Sequence, residues 1–111
     1  MKNLTTSEDI FTFVKDHSIV AVKFYNDNCA PCKMLSPILE AMEEKLGNTV
    51  HWAEANVSNE DLQEAMKQYK VRSPPTVCVF EHGTLVGRLV GANVQGPLQT
   101  LLDELIREET Q

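Results

Sequence analysis

The chain has 111 residues, of which 42% are hydrophobic, and a formal net charge of -6. This length and apolar content suit one hydrophobic core, so we expect residues 1–111 to form a single domain. The acidic excess argues against nucleic acid and anionic membrane as partners, because either would need a basic face. Met1 begins no apolar stretch of signal-peptide length and no run reaches membrane-spanning length, so we expect a cytoplasmic protein. We also expect a monomer.

The first half of the chain predicts a helix, a strand and a second helix. Ser7 should cap a helix that ends near Asp16, and it is followed by two acidic residues in the first turn. The apolar run from Ile19 to Tyr25 is typical of a central strand that is buried on both faces. Apolar positions between residues 35 and 46 then recur at helical spacing. Gly47 should end this helix, and Pro37 should kink it.

The second half predicts a strand, a helix, a hairpin and a last helix. Residues 50–57 form the strand, and Asn59 caps a third helix whose apolar stripe reaches residue 69. Strands at residues 76–81 and 84–90 are separated by two residues, which is typical of a hairpin. The last helix should begin near Pro97. This order predicts an α/β fold with a mixed sheet and helices on both faces.

The motif Cys29-Ala30-Pro31-Cys32 falls between the buried strand and the helix that follows it. Backbone N–H groups at a helix N-terminus favour a thiolate, so Cys29 should be the more exposed and more reactive sulfur. Its thiolate would attack a substrate disulfide, and Cys32, one turn later, would attack Cys29 and release the reduced substrate. Pro31 should stiffen this first turn.

Two other interpretations of the cysteines stay open. Three cysteines are too few, and odd in number, for a disulfide framework. The pair could be half of a zinc site, which needs four ligands. The chain has no second cysteine pair and no closely spaced histidine pair, since His17, His51 and His82 are scattered. The pair could also be two unreactive thiols. Cys78 lies in an apolar strand and is expected to be a small core residue, with a regulatory thiol as the alternative.

The chain resembles the thioredoxin family over nearly its whole length. The matching stretches are residues 22–25, 29–34, 37–40, 71–76, 80–83 and 90–92. The resemblance implies a thioredoxin fold, here with the first strand very short or absent. It also implies that Pro75 is a cis-proline packed against the two cysteines.

The resemblance further implies a thiol–disulfide oxidoreductase that reduces protein disulfides and acts as a dithiol electron carrier in cell redox homeostasis. Such a protein needs no bound cofactor or metal beyond the Cys29–Cys32 pair. Its electrons come from NADPH through a flavin-dependent thioredoxin reductase, and its other partners are disulfide-containing proteins. Two alternatives remain: a thioredoxin-like binding or chaperone module whose redox activity is secondary, and an oxidant that makes disulfides.

The implied substrate-binding surface surrounds the motif and the cis-proline. It comprises Asn28, Ala30, Pro31, Ser73, Pro74, Gly91 and Ala92. Asn28 stands where the family usually has tryptophan, and Ala30 where it has glycine, so the rim is less apolar. Pro74 has no N–H, so one of the two main-chain bonds expected with a substrate strand is missing.

Two charged residues depart from the family in a paired way. Thioredoxins carry a buried carboxylate beneath the cysteines, and this chain has Lys23 at that position. Where thioredoxins have the partner lysine, this chain has Glu54. A lone buried lysine is costly, which predicts an ion pair between the two. We hypothesise that Lys23 favours the nearby thiolate and that Glu54 accepts the proton of Cys32. A purely structural pair is the alternative.

Overall fold

The computed structural model describes all 111 residues and contains nine helices and strands in an α/β order. A 3₁₀ turn follows the second helix and another precedes the third. In chain order the elements are β1 (Lys2–Asn3), α1 (Ser7–Asp16), β2 (Ile19–Tyr25), α2 (Ala30–Leu46), β3 (His51–Asn56), α3 (Gln63–Gln68), β4 (Thr76–Glu81), β5 (Thr84–Val90) and α4 (Gln95–Glu109).

The five strands form one mixed sheet in the order β1-β3-β2-β4-β5. Strand β3 runs parallel to β1 and β2, whereas β4 is antiparallel to β2 and β5. As predicted, β2 is the central strand, and residues 19–24 are all buried. The first strand exists but is short, because only Lys2 and Asn3 pair with β3.

Helices cover both faces of the sheet, as the alternating pattern predicted. One core lies under α1 and α3 and receives Val20, Val22 and Phe24 from β2. The other lies under α2 and α4 and receives Ile19 and Ala21. Because side chains alternate along a strand, Lys23 belongs to the face beneath α2. None of the helices combines the length and the apolar content needed to cross a bilayer.

The start of α1 differs from the prediction. Thr6, not Ser7, is the cap, and its Oγ1 accepts a hydrogen bond from the Asp9 N–H at 3.0 Å. Ser7 is buried, and its hydroxyl donates to the Asp61 carbonyl at 3.0 Å while accepting from the Ala65 N–H at 2.9 Å. The sequence shows three hydroxyl residues in succession, Thr5, Thr6 and Ser7, and only the contact with α3 decides that Ser7 turns inward.

Other helix boundaries shift by a few residues. Helix α4 begins at Gln95, two residues before Pro97. The helix tolerates Pro97 there because the N–H groups of the first turn have no intrahelical acceptor. Asn59 caps a 3₁₀ turn that leads into α3 rather than α3 itself. Helix α2 continues through Pro37 and ends at Leu46, where Gly47 caps it with a φ of 55° that suits glycine.

Candidate active site

Cys29 and Cys32 form a disulfide at the N-terminus of α2. Cys29 is the residue that caps the helix, and its sulfur accepts a hydrogen bond from the Cys32 N–H at 3.2 Å. This donor is one of the helix N–H groups that lack an intrahelical acceptor, so it is directed at the sulfur. Cys29 is 9% exposed and Cys32 is 3% exposed. The first cysteine is therefore the more accessible one, as predicted.

The loop that presents Cys29 is held to the neighbouring strand. The Val57 N–H donates to the Tyr25 carbonyl at 2.8 Å, which extends the pairing of β2 and β3 to the end of β2. The Asn56 side-chain amide donates to the Asp27 carboxylate at 3.2 Å. These contacts fix the turn between the central strand and α2, and with it the position of the disulfide.

The peptide bond between Pro74 and Pro75 is cis, as the family resemblance implied. Pro75 is buried, and its carbonyl accepts a hydrogen bond from the Gly91 N–H at 2.8 Å. Gly91 has a φ of 98°, a conformation that favours glycine. The Pro74 carbonyl accepts no backbone hydrogen bond within the chain, so this acceptor is free.

The ion pair predicted between Lys23 and Glu54 is present. The two residues are directly paired in the register of β2 and β3, and Lys23 Nζ lies 3.3 Å from Glu54 Oε1. The Lys23 side chain is 6% exposed, whereas that of Glu54 is 31% exposed. The lysine is therefore the member that depends on the pair, because its ammonium has almost no contact with solvent.

Ser36 links this ion pair to the second cysteine, and sequence reasoning missed it. Lys23 Nζ donates to Ser36 Oγ at 3.2 Å, and Ser36 Oγ donates to the Cys32 carbonyl at 3.0 Å. Ser36 lies one turn after Cys32, a spacing at which a serine hydroxyl reaches back to a helix carbonyl. The sequence shows that spacing, but only the fold places Lys23 beneath it.

Tyr25 lies beside the same charges. Lys23 Nζ is 5.2 Å from the centre of the Tyr25 ring, a cation–π distance. Burial raises the pKa of the Tyr25 hydroxyl, and the negative charges of Glu54 and Asp27 raise it further. Tyr25 is therefore held in its neutral form and adds no negative charge to the site.

The other expected substrate-binding residues differ in exposure. Asn28, Ala30, Pro31 and Ser73 are exposed, whereas Pro74, Gly91 and Ala92 are half-buried. Two apolar side chains missed by the sequence reasoning also belong to these segments: Met34 is 66% exposed and Val90 is 58% exposed. Met34 lies outside the apolar stripe of α2, and this position in the sequence could have indicated that its side chain is exposed.

The histidines and the third cysteine lie outside this arrangement. His17 and His51 stack on each other with ring centres 3.9 Å apart, and His82 contacts Glu109. Cys78 is fully buried in β4 and has no disulfide partner. Burial raises the pKa of its thiol to about 12, because a thiolate is disfavoured in an apolar core.

A mixed sheet with helices on both faces and a redox-capable cysteine pair at a helix N-terminus define a thiol–disulfide oxidoreductase. The thioredoxin family model matches residues 2–104. A thioredoxin of Mycoplasmoides gallisepticum is 29% identical, over 92% of this chain and 99% of that one. A thioredoxin of Acidithiobacillus ferridurans is 32% identical, over 90% and 93% of the two chains.

Solved structures agree with this. The X-ray structure of Fasciola hepatica thioredoxin superimposes with a TM-score of 0.83 at 26% identity, covering 94% of this chain and 98% of that one. The chain belongs to the thioredoxin family. Its fold is the thioredoxin fold with a short first strand, and its family role is that of a disulfide reductase.

The three cysteines should differ in reactivity towards a chromogenic aromatic disulfide reagent at pH 8. The reduced native protein should release two equivalents of coloured thiol as Cys29 and Cys32 become a disulfide, and the unfolded protein should release three. The reason is that Cys78, with its pKa of about 12, is almost wholly protonated and inaccessible until the core opens. A Cys78→Ala variant should give two equivalents in both states. Three equivalents from the native wild-type protein would contradict this assignment.

Proposed function

We propose that this protein reduces disulfides of other proteins and serves as a dithiol electron carrier. The observation that carries the proposal is the Cys29–Cys32 disulfide at the N-terminus of α2, with the Cys32 N–H directed at the Cys29 sulfur. This N–H would stabilise negative charge on the same sulfur when the disulfide is reduced. Cys29 is also more accessible than Cys32, which suits it to meet a substrate.

The reaction transfers two electrons in two steps. The Cys29 thiolate attacks one sulfur of the substrate disulfide, so a Cys29–substrate bond forms and the other substrate sulfur leaves as a thiolate. Cys32 then loses its proton and attacks the Cys29 sulfur. The Cys29–Cys32 disulfide forms, the mixed disulfide breaks and the second substrate thiolate leaves. The oxidised state described above is the product of this half-reaction.

The cycle needs a source of electrons outside this chain. We propose a flavin-dependent thioredoxin reductase that uses NADPH, in keeping with the family to which the chain belongs. A protein that must be returned to its dithiol form works best in a reducing compartment, so the proposal includes a cytoplasmic location. The free thiol of Cys78 suits such a compartment.

One further candidate function is a binding module in which the redox reaction is secondary. The exposed Met34 and Val90, in the segments that carry the motif and Gly91, would offer apolar contacts to a partner chain. Pro74 supplies one main-chain acceptor and no donor. These features would serve a reductase equally well, so the distinction rests on the cysteines.

Reduction of insulin in the presence of NADPH and a thioredoxin reductase tests the proposal. We expect wild-type protein and Cys78→Ala to support NADPH oxidation, and Cys29→Ser to support none, because the attacking sulfur is gone. Cys32→Ser should accumulate a mixed disulfide with the substrate, visible by non-reducing electrophoresis. Measuring the redox potential of the pair would distinguish a reductant from an oxidant. A Cys29→Ser variant that keeps the protein's full function would favour the binding module instead.

Lys23 and Glu54 have proposed roles in proton transfer. The ammonium of Lys23 would favour negative charge near the cysteines, and Glu54 would accept the proton that Cys32 loses. Supporting this proposal is the chain of contacts from Glu54 through Lys23 and Ser36 to the backbone of Cys32. In the alternative, the pair only makes the buried lysine tolerable.

Glu54→Gln separates these two roles. If Glu54 accepts the proton, the second step should slow by at least about tenfold near neutral pH. Its rate should then recover as the pH approaches the ordinary thiol pKa of about 8.5, because Cys32 must ionise unaided. Stopped-flow kinetics across pH would measure this, with the exposed Glu64→Gln as the matched control. Urea unfolding would check that both variants are folded. An unchanged rate and pH profile would leave the pair a structural role only.

Pro74 should limit how tightly substrates bind. Its free carbonyl can accept an N–H from an extended substrate strand, but the reciprocal bond cannot form. A single hydrogen bond contributes about 0.5–1.5 kcal/mol, which corresponds to about two- to tenfold in affinity.

Pro74→Ile and Pro74→Ala each restore the missing N–H. Both should therefore lower the Michaelis constant for a protein disulfide by about two- to tenfold. The gain should not appear with oxidised lipoamide, which is too small to pair as a strand. A gain in Pro74→Ile alone would indicate a side-chain contact, and no gain in either variant would show that the missing N–H does not limit binding.

A further inference from the structure

A positively charged cleft lies next to the loop that carries the cis-proline. Lys70, Arg72 and Arg88 line it, together with Ser73 and Val90, and its volume is about 410 Å³. The chain as a whole carries a net charge of -6, so the cleft has the opposite sign from the protein. No acidic side chain lines it.

The fold assembles this cleft from two separate segments. Lys70 and Arg72 lie between α3 and β4, and Lys70 has a φ of 57°, which is uncommon for a residue other than glycine. Arg88 lies on the edge strand β5, where it pairs in register with Cys78 of β4. The three cations thus come together only because β5 lies beside β4.

These cations have no ionic partner within the chain. The N-terminal ammonium pairs with Glu43, Lys23 pairs with Glu54 and His82 contacts Glu109, so none of these contacts involves Lys70, Arg72 or Arg88. Clustered like charges repel one another, so an uncompensated group of three opposes the folded state. A structural role would pair them with carboxylates, and the chain has 16 acidic residues with which to do so.

The cleft is continuous with the expected substrate-binding surface. Ser73 both lines the cleft and immediately precedes Pro74, whose carbonyl is free. Val90, which is exposed, also lines the cleft and precedes Gly91, the residue that donates to the Pro75 carbonyl. A polypeptide that pairs with Pro74 therefore has the cationic cleft within reach of its side chains.

We propose that the cleft binds an acidic segment that flanks the disulfide of the protein substrate, so that Lys70, Arg72 and Arg88 determine specificity. This inference rests on the proposed reductase function. The occupant is a polypeptide rather than a small anion, because an apolar side chain and a free main-chain acceptor adjoin the three cations. Opposite charge accelerates encounter and selects among partners.

Two peptides with the same disulfide test this proposal. One has three glutamates next to a cysteine, and the other has three glutamines. We expect wild-type protein to reduce the acidic peptide with the higher kcat/KM, and this preference should shrink as sodium chloride screens the charges. Arg72→Gln, Arg88→Gln and Lys70→Gln should each reduce the ratio of the two kcat/KM values by about two- to fivefold.

Lys45→Gln is the matched control. It removes the same charge from the last turn of α2, about 20 Å along the helix from Cys32. It should keep the wild-type ratio, which would exclude an effect of net charge alone. Inorganic phosphate should inhibit reduction of the acidic peptide no more than sodium chloride does at equal ionic strength.

The outcomes separate this inference from the function on which it depends. If wild-type protein reduces both peptides equally, or if Arg72→Gln and Arg88→Gln behave like Lys45→Gln, the cleft has no role in specificity. The same holds if phosphate inhibits strongly while the peptide preference is absent, since the cleft would then be a small-anion site. If neither peptide is reduced, the proposed reductase function itself fails.

Discussion

The structure depends on the burial of β2 between two hydrophobic cores. This strand gives Val20, Val22 and Phe24 to one core and Ile19 and Ala21 to the other. A strand buried on both faces has no freedom to shift its register, because a slip by one residue would exchange the two sets of side chains. Its end therefore fixes where the turn to α2 occurs, and that turn presents Cys29.

One residue of this strand conflicts with its surroundings. Lys23 places an ammonium in a buried segment, and removing such a group from water is expensive. The compensation is local and threefold: a carboxylate at 3.3 Å, a serine hydroxyl at 3.2 Å and the face of the Tyr25 ring at 5.2 Å. Ser36 also donates to the Cys32 carbonyl, so the hydrogen bonds that stabilise the buried Lys23 ammonium extend to the redox site.

The molecule also shows two kinds of electrostatic arrangement. Beneath the cysteines, the opposite charges of Lys23 and Glu54 are paired and partly shielded from water. Next to the loop of the cis-proline, Lys70, Arg72 and Arg88 are unpaired and line a cleft. Paired buried charges act on the chemistry of a site, whereas unpaired surface charges act on encounters with other molecules. In our proposals, the paired charges affect the reactivity of the cysteines and the unpaired charges affect the choice of substrate.

Hydrophobic periodicity and chain order are local properties, so the order of the elements, the central strand and the cysteine pair at a helix start could all be predicted from the amino-acid sequence. The cis bond before Pro75 and the pairing of Lys23 with Glu54 came from the family resemblance and were found in the structure. The contacts of Ser7 and Ser36 and the grouping of Lys70 and Arg72 with Arg88 became visible only in the folded chain. Each depends on contacts between segments distant in the chain, and no local pattern encodes which side chains will meet across two elements.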